Sequence, residues 1–477
     1  MRLRVTFAFT GRLALVCLLA LTCASADTIH LKNGRTIVAD QVREKGNHLE
    51  YDIGEDTYAI PISTVDHVDA GGMPTHSSSG TAKVADLPTF TPADSLANEG
   101  DLSAKIVKEG KVDPDALSAL EGKGNAELSA TADFIAGKFE FEHGNIAQSR
   151  RYFESALRFQ PENSTILIYY AALLVRTGSA AQALPYAQRA VNSDPQSPDA
   201  YTMLGYAQFA SDHTKDAVTS WKRSLQLRPD ATVRQFLAKA QREETVETDF
   251  AQHESSHFVL HYEGKQTSES LRAQIVAALE SDYDDLSSSL GNPPRDSILV
   301  TLYTEQAFFD VTHAPSWSGA MNDGKLRIPV SGLSSMTPEL ARVLKHELAH
   351  SFINQLSGGR CPPWLHEGIA QMLEPKSLGG DGHQLSLLFK AQREIPLNAL
   401  EGSFQSFSGG QAYVAYAESL AAVSYINDSY GMGDVQRILQ LLSQGTSTEA
   451  ALRATIHSDY GQLESDLTKY LADKYGE

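Results

Sequence analysis

Two histidines and a glutamate with the spacing of a metal site occur together at His346-Glu347-Leu348-Ala349-His350. Residues four apart on a helix lie on one face, about one turn from each other, so His346 and His350 can reach a single metal ion. Glu347 lies next to the first histidine, where it can hold and deprotonate a metal-bound water. The stretch therefore predicts a metal site with hydrolytic chemistry.

The residues around this motif predict the helix that the site needs. Thr337 suits the N-cap, Pro338 suits the first helical position, and Gly358-Gly359 can end the segment. Apolar residues recur between these limits at helical spacing, at Leu340, Val343, Leu344, Leu348 and Phe352. One helix should therefore align both histidines.

A catalytic zinc ion needs a third protein ligand and an open fourth position. The stretch Trp364 to Ala370 predicts a short second helix, which carries Glu367 and folds back on the first. A carboxylate buried among such apolar neighbours needs a partner, and a metal ion is a good one. Gly368 costs about 1 kcal/mol relative to alanine within a helix, which predicts close packing against the first helix. His366 is a weaker third ligand, because it points about 100° away from Glu367 around the helix.

The same five-residue pattern also occurs at His253-Glu254-Ser255-Ser256-His257. Two serines replace the apolar positions, and a strand begins at once, so no helix aligns the histidines. We interpret this copy as a polar linker that enters a strand, because the motif binds metal only in its helical context.

The second half of the chain resembles a known enzyme family in its motifs. His346 to His350, followed by Pro363-Trp364-Leu365-His366-Glu367-Gly368-Ile369-Ala370, resembles the gluzincin clan of zinc metallopeptidases and in particular the bacterial peptidase MA-like family. The likeness extends over about Ser256 to Tyr475. A metzincin would have a third histidine six residues after His350 with a glycine between; Ile353 and Leu356 occupy those positions and exclude that class.

The resemblance implies roles for individual residues. It implies one Zn²⁺ ion per chain with His346, His350 and Glu367 as ligands and Glu347 as the general base. It also implies that the edge strand around Gly319 to Pro329 pairs with an extended peptide substrate above the zinc.

Gluzincins often add a tyrosine or histidine that stabilises the oxyanion of the intermediate. The stretch Gln411 to Ser419 resembles the tyrosine-containing helix of the family, which implies that Tyr416 is this donor, with Tyr413 as the alternative. Packing in a core is the other interpretation of both tyrosines. Gln371, one turn beyond Glu367, is a candidate partner for a ligand, although no acid occupies that place.

A period of 34 residues precedes the metal motif. Prolines recur at Pro161, Pro195 and Pro229, and small residues recur at Gly137, Ala171 and Gly205. This period resembles the tetratricopeptide repeat (TPR), a helix-turn-helix unit. Its ligand stays open, since an intramolecular scaffold and a peptide-binding groove that holds a protein partner are both compatible with the pattern.

The chain as a whole is predicted to be multidomain. It should contain a small N-terminal all-β module (27–70), a mostly flexible linker (71–128), an α-helical TPR solenoid with a capping helix (129–246) and an α+β gluzincin-like metallopeptidase domain (255–477). Lys32-Asn33-Gly34-Arg35 predicts a tight hairpin turn in the β module.

Residues 1–26 have the features of a secretory signal peptide. Three arginines precede an apolar run from Leu13 to Leu21, which is short for a bilayer span, and Ala24-Ser25-Ala26 offers a cleavage site. We therefore expect export to the periplasm or the medium, with no membrane span after cleavage. A lipid anchor at Cys23 is the weaker hypothesis, because Leu21-Thr22 before it poorly matches the sequence that precedes a lipid-modified cysteine.

Cleavage would leave 37 basic and 59 acidic side chains, a net charge of −22, and Cys361 as the one remaining cysteine. Such an acidic protein is a poor partner for nucleic acid or anionic membranes.

Taken together, the sequence predicts an exported zinc metallopeptidase that hydrolyses peptide bonds in a peptide or protein substrate. The alternative is a TPR-based interaction or scaffold protein whose zinc domain is inactive or structural. Glu347 distinguishes the two, since a structural zinc site has no use for a base beside its ligand. The substrate and the choice between chain ends and interiors stay open.

Overall fold

The computed structural model describes most of the chain, in two compact units. The described residues are 27–32, 36–39, 41–46, 48–53, 56–69, 99–108, 110–264, 267–313, 320–330, 332–374, 376–379, 381–402, 404, 407 and 409–476. The predicted signal peptide (1–26), residues 71–98 of the predicted linker and the Asn33-Gly34 turn lie outside these ranges. One unit comprises the described residues up to Asp69, and the other contains nearly all of the chain from Glu99 onward.

The first unit is all-β, as predicted, and consists of two three-stranded antiparallel sheets with the strand orders β2-β1-β6 and β3-β4-β5. Its strands are β1 (Asp27–Leu31), β2 (Thr36–Ala39), β3 (Gln41–Lys45), β4 (His48–Ile53), β5 (Asp56–Pro61) and β6 (Val65–Asp69). Ile29, Leu49 and Tyr51 are buried and form its small core.

The described residues between 99 and 128 are structured, so the prediction of a mostly flexible linker is wrong for this part of 71–128. The segment contains α1 (Glu99–Ile106), the short strands β7 (Val107–Lys108) and β8 (Lys111–Val112), and α2 (Pro114–Glu121). Its apolar side chains pack against the next helix, in a cluster of Leu102, Ile106, Leu117, Leu120, Ala132, Ile135 and Ala136. A helix start was visible in the sequence, since the Asp113 side chain caps α2 and Pro114 follows it.

The repeat region consists of three antiparallel helix pairs and a further helix. These are α3 (Ala126–Glu142), α4 (Ile146–Phe159), α5 (Ser164–Arg176), α6 (Ala180–Ser193), α7 (Pro198–Ala210), α8 (Thr214–Leu227) and α9 (Ala231–Glu247). The small residues of the 34-residue period let the paired helices approach closely. A Cβ at Gly137 would lie 2.6 Å from the Phe153 ring, and one at Gly205 would lie 2.5 Å from Trp221.

The C-terminal domain contains a mixed five-stranded sheet of order β12-β13-β11-β10-β9. The strands are β9 (Ala251–Glu254), β10 (Phe258–Tyr262), β11 (Ile298–Tyr303), β12 (Met321–Asn322) and β13 (Leu326–Pro329). The three central strands run parallel, and both edge strands are antiparallel to their neighbours. Residues 319–329 were predicted to form the edge strand that binds substrate. Among the described residues of this range, β12 is an edge strand, but β13 is not, because it lies between β12 and β11.

Nine helices accompany this sheet in the described part of the domain. They are α10 (Glu269–Leu290), α11 (Glu305–Thr312), α12 (Pro338–Ser357), α13 (Pro363–Leu373), α14 (Asp381–Lys390), α15 (Gly409–Tyr430), α16 (Met432–Ser443), α17 (Thr448–Ile456) and α18 (Tyr460–Tyr475). One apolar core joins the sheet to α12, α13 and α15, which fixes the helices that carry the metal motif. Among the described helices, none combines the length and apolarity that crossing a bilayer requires.

Candidate metal centre

Helix α12 carries the histidine motif and forms as its end signals predict. The Thr337 hydroxyl accepts a hydrogen bond from the Leu340 amide at its start, and Gly358 adopts a left-handed conformation (φ +60°) at its end. His346, Glu347 and His350 are all buried, although a helix of this type usually turns its polar residues to solvent.

Helix α13 brings Glu367 to the same place. Every residue from Trp364 to Gln371 is buried, so the helix is enclosed on all sides. Helices α12 and α13 pack together, but the close approach at Gly368 was predicted against the wrong helix. A Cβ there would lie 2.3 Å from the Ser419 carbonyl oxygen and 2.5 Å from Val423 Cγ2, both on α15. Glycine is therefore needed because α15 backbone crosses α13 at this point.

His346, His350 and Glu367 converge as the sequence predicts. His346 Nε2 lies 3.5 Å and His350 Nε2 lies 3.9 Å from Glu367 Oε2. Tetrahedral zinc with bonds of about 2.0–2.1 Å holds its ligand atoms roughly 3.3–3.5 Å apart, so these separations fit with a small contraction. In the described part of the chain, this is the one group of three such side chains with donor atoms within 4.8 Å of one another.

Glu347 lies beside this group without a protein partner for one of its oxygens. It is 1% exposed, and Oε2 has no hydrogen-bond partner among the described residues. Burial raises the pKa of Glu347 to about 8, with nearby Glu367 and Glu374 acting in the same direction. A buried carboxylate in this position fits a site that supplies a cation and a water molecule.

Glu374 is a buried acid that sequence reasoning missed. Its Oε1 lies 3.7 Å from His346 Nδ1, the ring nitrogen that faces away from Glu367. Burial would lower the pKa of His346, but the nearby carboxylates of Glu367 and Glu374 outweigh this and raise the pKa to about 10. A carboxylate behind a metal-binding imidazole fixes the ring and raises its basicity. The available signal was the spacing of seven residues, two helical turns, between Glu367 and Glu374.

His366 supports the site from outside the ligand group. Its ring stacks on His350, with ring centroids 4.6 Å apart, and burial lowers the pKa of His366 to about 3. Burial also lowers the pKa of His350, and the neighbouring His366 and His346 add to this, so that His350 stays neutral. Neutral imidazole is the form that binds a metal ion.

Asn322 is a second residue that sequence reasoning missed. Its side-chain amide donates hydrogen bonds to the backbone carbonyl of Glu347 at 2.7 Å and to Ser351 Oγ at 2.8 Å. It therefore connects edge strand β12 to the middle of α12. No sequence signal links residues 25 positions apart, so only the folded chain shows this contact.

The two candidate tyrosines differ in their surroundings. Tyr416 is buried and packs edge-on against Phe404, whereas Tyr413 is 39% exposed. Burial, together with Asp381, raises the pKa of Tyr413 to about 12. The side chain of Gln371 donates to the backbone carbonyls of Glu367 and Tyr416, so it joins α13 to α15 through their backbones.

The second copy of the histidine motif does not form a comparable group. His253 and Glu254 lie on exposed edge strand β9, so the prediction of a polar linker is wrong for these two residues. His257 contacts Glu280 through Nδ1 at 2.6 Å and stacks on Tyr283. No helix aligns His253 and His257, as the sequence predicts.

Comparisons with known proteins identify two families in the chain. Residues 285–473 match the Peptidase MA superfamily, and residues 136–198 match the tetratricopeptide repeat. No curated protein matches the chain. Similar solved structures include the Arabidopsis OM64 TPR domain (17% identity, TM-score 0.24, 25% of this chain and 98% of that one) and the first TPR domain of human RPAP3 (21%, 0.24, 24% and 92%). The chain thus contains a Peptidase MA superfamily domain preceded by tetratricopeptide repeats.

Proposed function

We propose that this chain, with its Peptidase MA superfamily domain, is an exported zinc-dependent metallopeptidase. The observation that carries the proposal is the convergence of three buried donors, His346, His350 and Glu367, beside Glu347, whose Oε2 has no hydrogen-bond partner among the described residues. The donor set and its separations fit zinc, and Glu347 fits a general base.

The residues of the chain divide the reaction among them. Zinc, when bound, polarises the scissile carbonyl and makes its water acidic near neutral pH. Glu347 takes the proton of the attacking water and passes it to the leaving amine. His346 and His350 would hold the ion through their ring nitrogens, with the proton of His346 displaced by the ion. The Glu374 carboxylate, whose Oε1 lies 3.7 Å from His346 Nδ1, would help to orient that ring.

Two further elements complete the proposed site. Among the described residues, no strand pairs with the outer edge of β12, so this edge can pair with an extended peptide, as the resemblance implies for residues 319–329. Tyr416, on the helix that packs against α13, is the proposed oxyanion donor. The TPR repeats are proposed to contact proteins, and export follows from the predicted signal peptide.

The alternative is a scaffold whose zinc domain is inactive or structural. Such a domain would need ligands but no base, and burying Glu347 beside them would only destabilise it. The buried position of Glu347 therefore favours the peptidase.

Metal content and peptide cleavage, measured on the mature chain, test the proposal. We expect one zinc per chain in the wild type, loss of zinc in Glu367→Ala, and one zinc with cleavage reduced about 10³-fold or more in Glu347→Gln. Zinc that survives Glu367→Ala, with no cleavage of a peptide library by any form, would contradict both the ligand set and the activity.

The same assay separates the two tyrosines. Loss of an oxyanion donor lowers kcat about 10²- to 10³-fold, so we expect that effect from Tyr416→Phe and at most a twofold change from exposed Tyr413→Phe. The reverse result would transfer the role to Tyr413.

A further inference from the structure

A second buried cluster of charged side chains joins the repeats to the metallopeptidase domain. Helix α9 contributes Glu243, and the segment Met321–Pro329, here called the edge hairpin, contributes Asp323, Lys325 and Arg327. Arg327 and Glu243 have no exposed side-chain surface, and Arg327 Nη2 lies 2.7 Å from Glu243 Oε2. Arg327 Nε also lies 3.0 Å from Asp323 Oδ1 within the hairpin.

Further ion pairs extend this cluster in both directions. Lys239 of α9 reaches Asp323, and Lys325 pairs with Glu243 and, at 2.8 Å, with Asp212 of the third repeat. Burial alone would raise the pKa of Glu243, but Arg327 and Lys325 outweigh it and hold the pKa at about 2. These side chains are therefore ionised and paired at neutral pH, so that α9 holds the hairpin through charge as well as packing.

The turns of the three repeats reach the same domain at equivalent places. Gly144, Gly178 and Asp212 are spaced by the 34-residue period and have φ values of +77°, +71° and +64°. Arg360 lies over Gly144 and donates to the His143 carbonyl at 2.8 Å.

The other two turns make matching contacts. Gln355 Oε1 would lie 3.3 Å from a Cβ at Gly178, and Asp212 faces both Lys325 and His261. The three turns form one edge of the solenoid, which therefore contacts the C-terminal domain between the end of α12 and the edge hairpin.

The hairpin in turn contacts the helix of the metal centre. Asn322 accepts a hydrogen bond from the Gly324 amide within the hairpin, and its side-chain amide donates to the Glu347 carbonyl. A continuous set of contacts thus leads from α9 through Arg327 and Asp323 to Asn322 and the backbone of Glu347.

We propose that the repeats act in cis as the support of the edge hairpin, and that Asn322 is a positioning residue for Glu347. This inference rests on the proposed peptidase function for its effect on catalysis, but the mechanical link from α9 to the hairpin stands on the contacts alone. The repeats would then be a working part of the active site, whatever else they bind.

Hydrogen exchange measured by mass spectrometry on the full mature chain loaded with zinc tests the link. We expect Glu243→Gln to speed exchange about tenfold or more in residues 320–330 and to a lesser extent in 344–351, with α17 and α18 unchanged. Glu449→Gln, which removes an exposed ion pair with Arg453, is the matched control and should exchange as the wild type does. If Glu243→Gln does not fold, Lys239→Gln removes one partly exposed contact and should produce a smaller change in the same segments.

Kinetics of Asn322→Ala test the positioning role. We expect kcat to fall about 10- to 100-fold because the backbone of Glu347 loses its support, with KM within about twofold and one zinc per chain retained. Unchanged kcat would overturn the role of Asn322, and unchanged exchange of 320–330 in both α9 variants would overturn the support by the repeats. A wild type that cleaves nothing would refute the peptidase while the exchange result still decides the mechanical link.

Discussion

The metal centre and the cluster between α9 and the edge hairpin both bury several charged side chains, but the acidic side chains have different partners in the two places. In the hairpin cluster, Glu243 and Asp323 face arginine and lysine side chains at ion-pair distance. In the metal centre, Glu367 Oε2 and Glu374 Oε1 lie 3.5 Å and 3.7 Å from ring nitrogens of His346, and Glu347 Oε2 has no hydrogen-bond partner in the described structure.

Two glutamates show the consequence. Glu243 and Glu347 are both almost completely buried, but the pKa of Glu243 is lowered to about 2 and that of Glu347 is raised to about 8. Burial raises the pKa of each. Arg327 and Lys325 reverse the effect at Glu243, whereas at Glu347 burial, together with Glu367 and Glu374, outweighs the lowering by His346. In this protein, a buried carboxylate that is paired with arginine and lysine connects two parts of the chain. A buried carboxylate whose charge the protein does not neutralise indicates a binding site for a cation from solution.

The largest expected effect is a change in the free energy of unfolding that has opposite signs in the two regions. Without metal, Glu243→Gln should lower the free energy of unfolding by about 3–5 kcal/mol, because buried Arg327 and Lys325 each lose one carboxylate partner. Glu347→Gln should raise it by about 1–3 kcal/mol, because Glu347, whose pKa rises to about 8 in the folded state, must take up a proton on folding at neutral pH and a neutral amide need not. Denaturant unfolding of both variants in the presence of a chelator measures this, and shifts in the same direction would break the comparison.

Acid unfolding offers the next largest effect. The pKa of Glu243 is lowered in the folded state, so its stabilising contribution is fully present above the unfolded pKa of about 4.5 and is lost as pH falls towards 2. The wild type should lose roughly 3 kcal/mol over this interval that Glu243→Gln does not lose. Unfolding at a series of pH values measures it, with Glu449→Gln as the variant that should follow the wild type. A constant gap between wild type and Glu243→Gln from pH 6 to pH 2 would contradict the ionised pairing.

The smallest effect concerns the carboxylate behind the ligand. Glu374→Gln should weaken zinc binding about 10- to 100-fold, because His346 loses the carboxylate charge that lies 3.7 Å from its Nδ1. Competition with a chromophoric chelator measures the affinity. Glu339→Gln, an exposed acid at the start of the same helix α12, is the control and should bind zinc as the wild type does.

The sequence predicted those elements whose signals lie close together along the chain. The end signals of α12, the strand Phe258–Tyr262 and the 34-residue period all depend on neighbours along the chain, and the structure has the corresponding elements. The flexible linker was wrong over residues 99–128 because Pro, Ala and Asp in that stretch resemble a linker in composition, while Leu102, Ile106, Leu117 and Leu120 pack against α3.

The sequence by itself determined the fold class and brought His346, His350 and Glu367 forward as one donor group, because helical spacing and a short connection leave few other arrangements. Only the tertiary structure shows that α15 packs against Gly368 and that Glu374 lies near His346 Nδ1. It also shows that Asn322 and Arg327 connect the repeats to the helix of the metal centre. Those contacts join residues far apart in the chain, and their pairing depends on which faces the packed core turns towards each other, which no local pattern records.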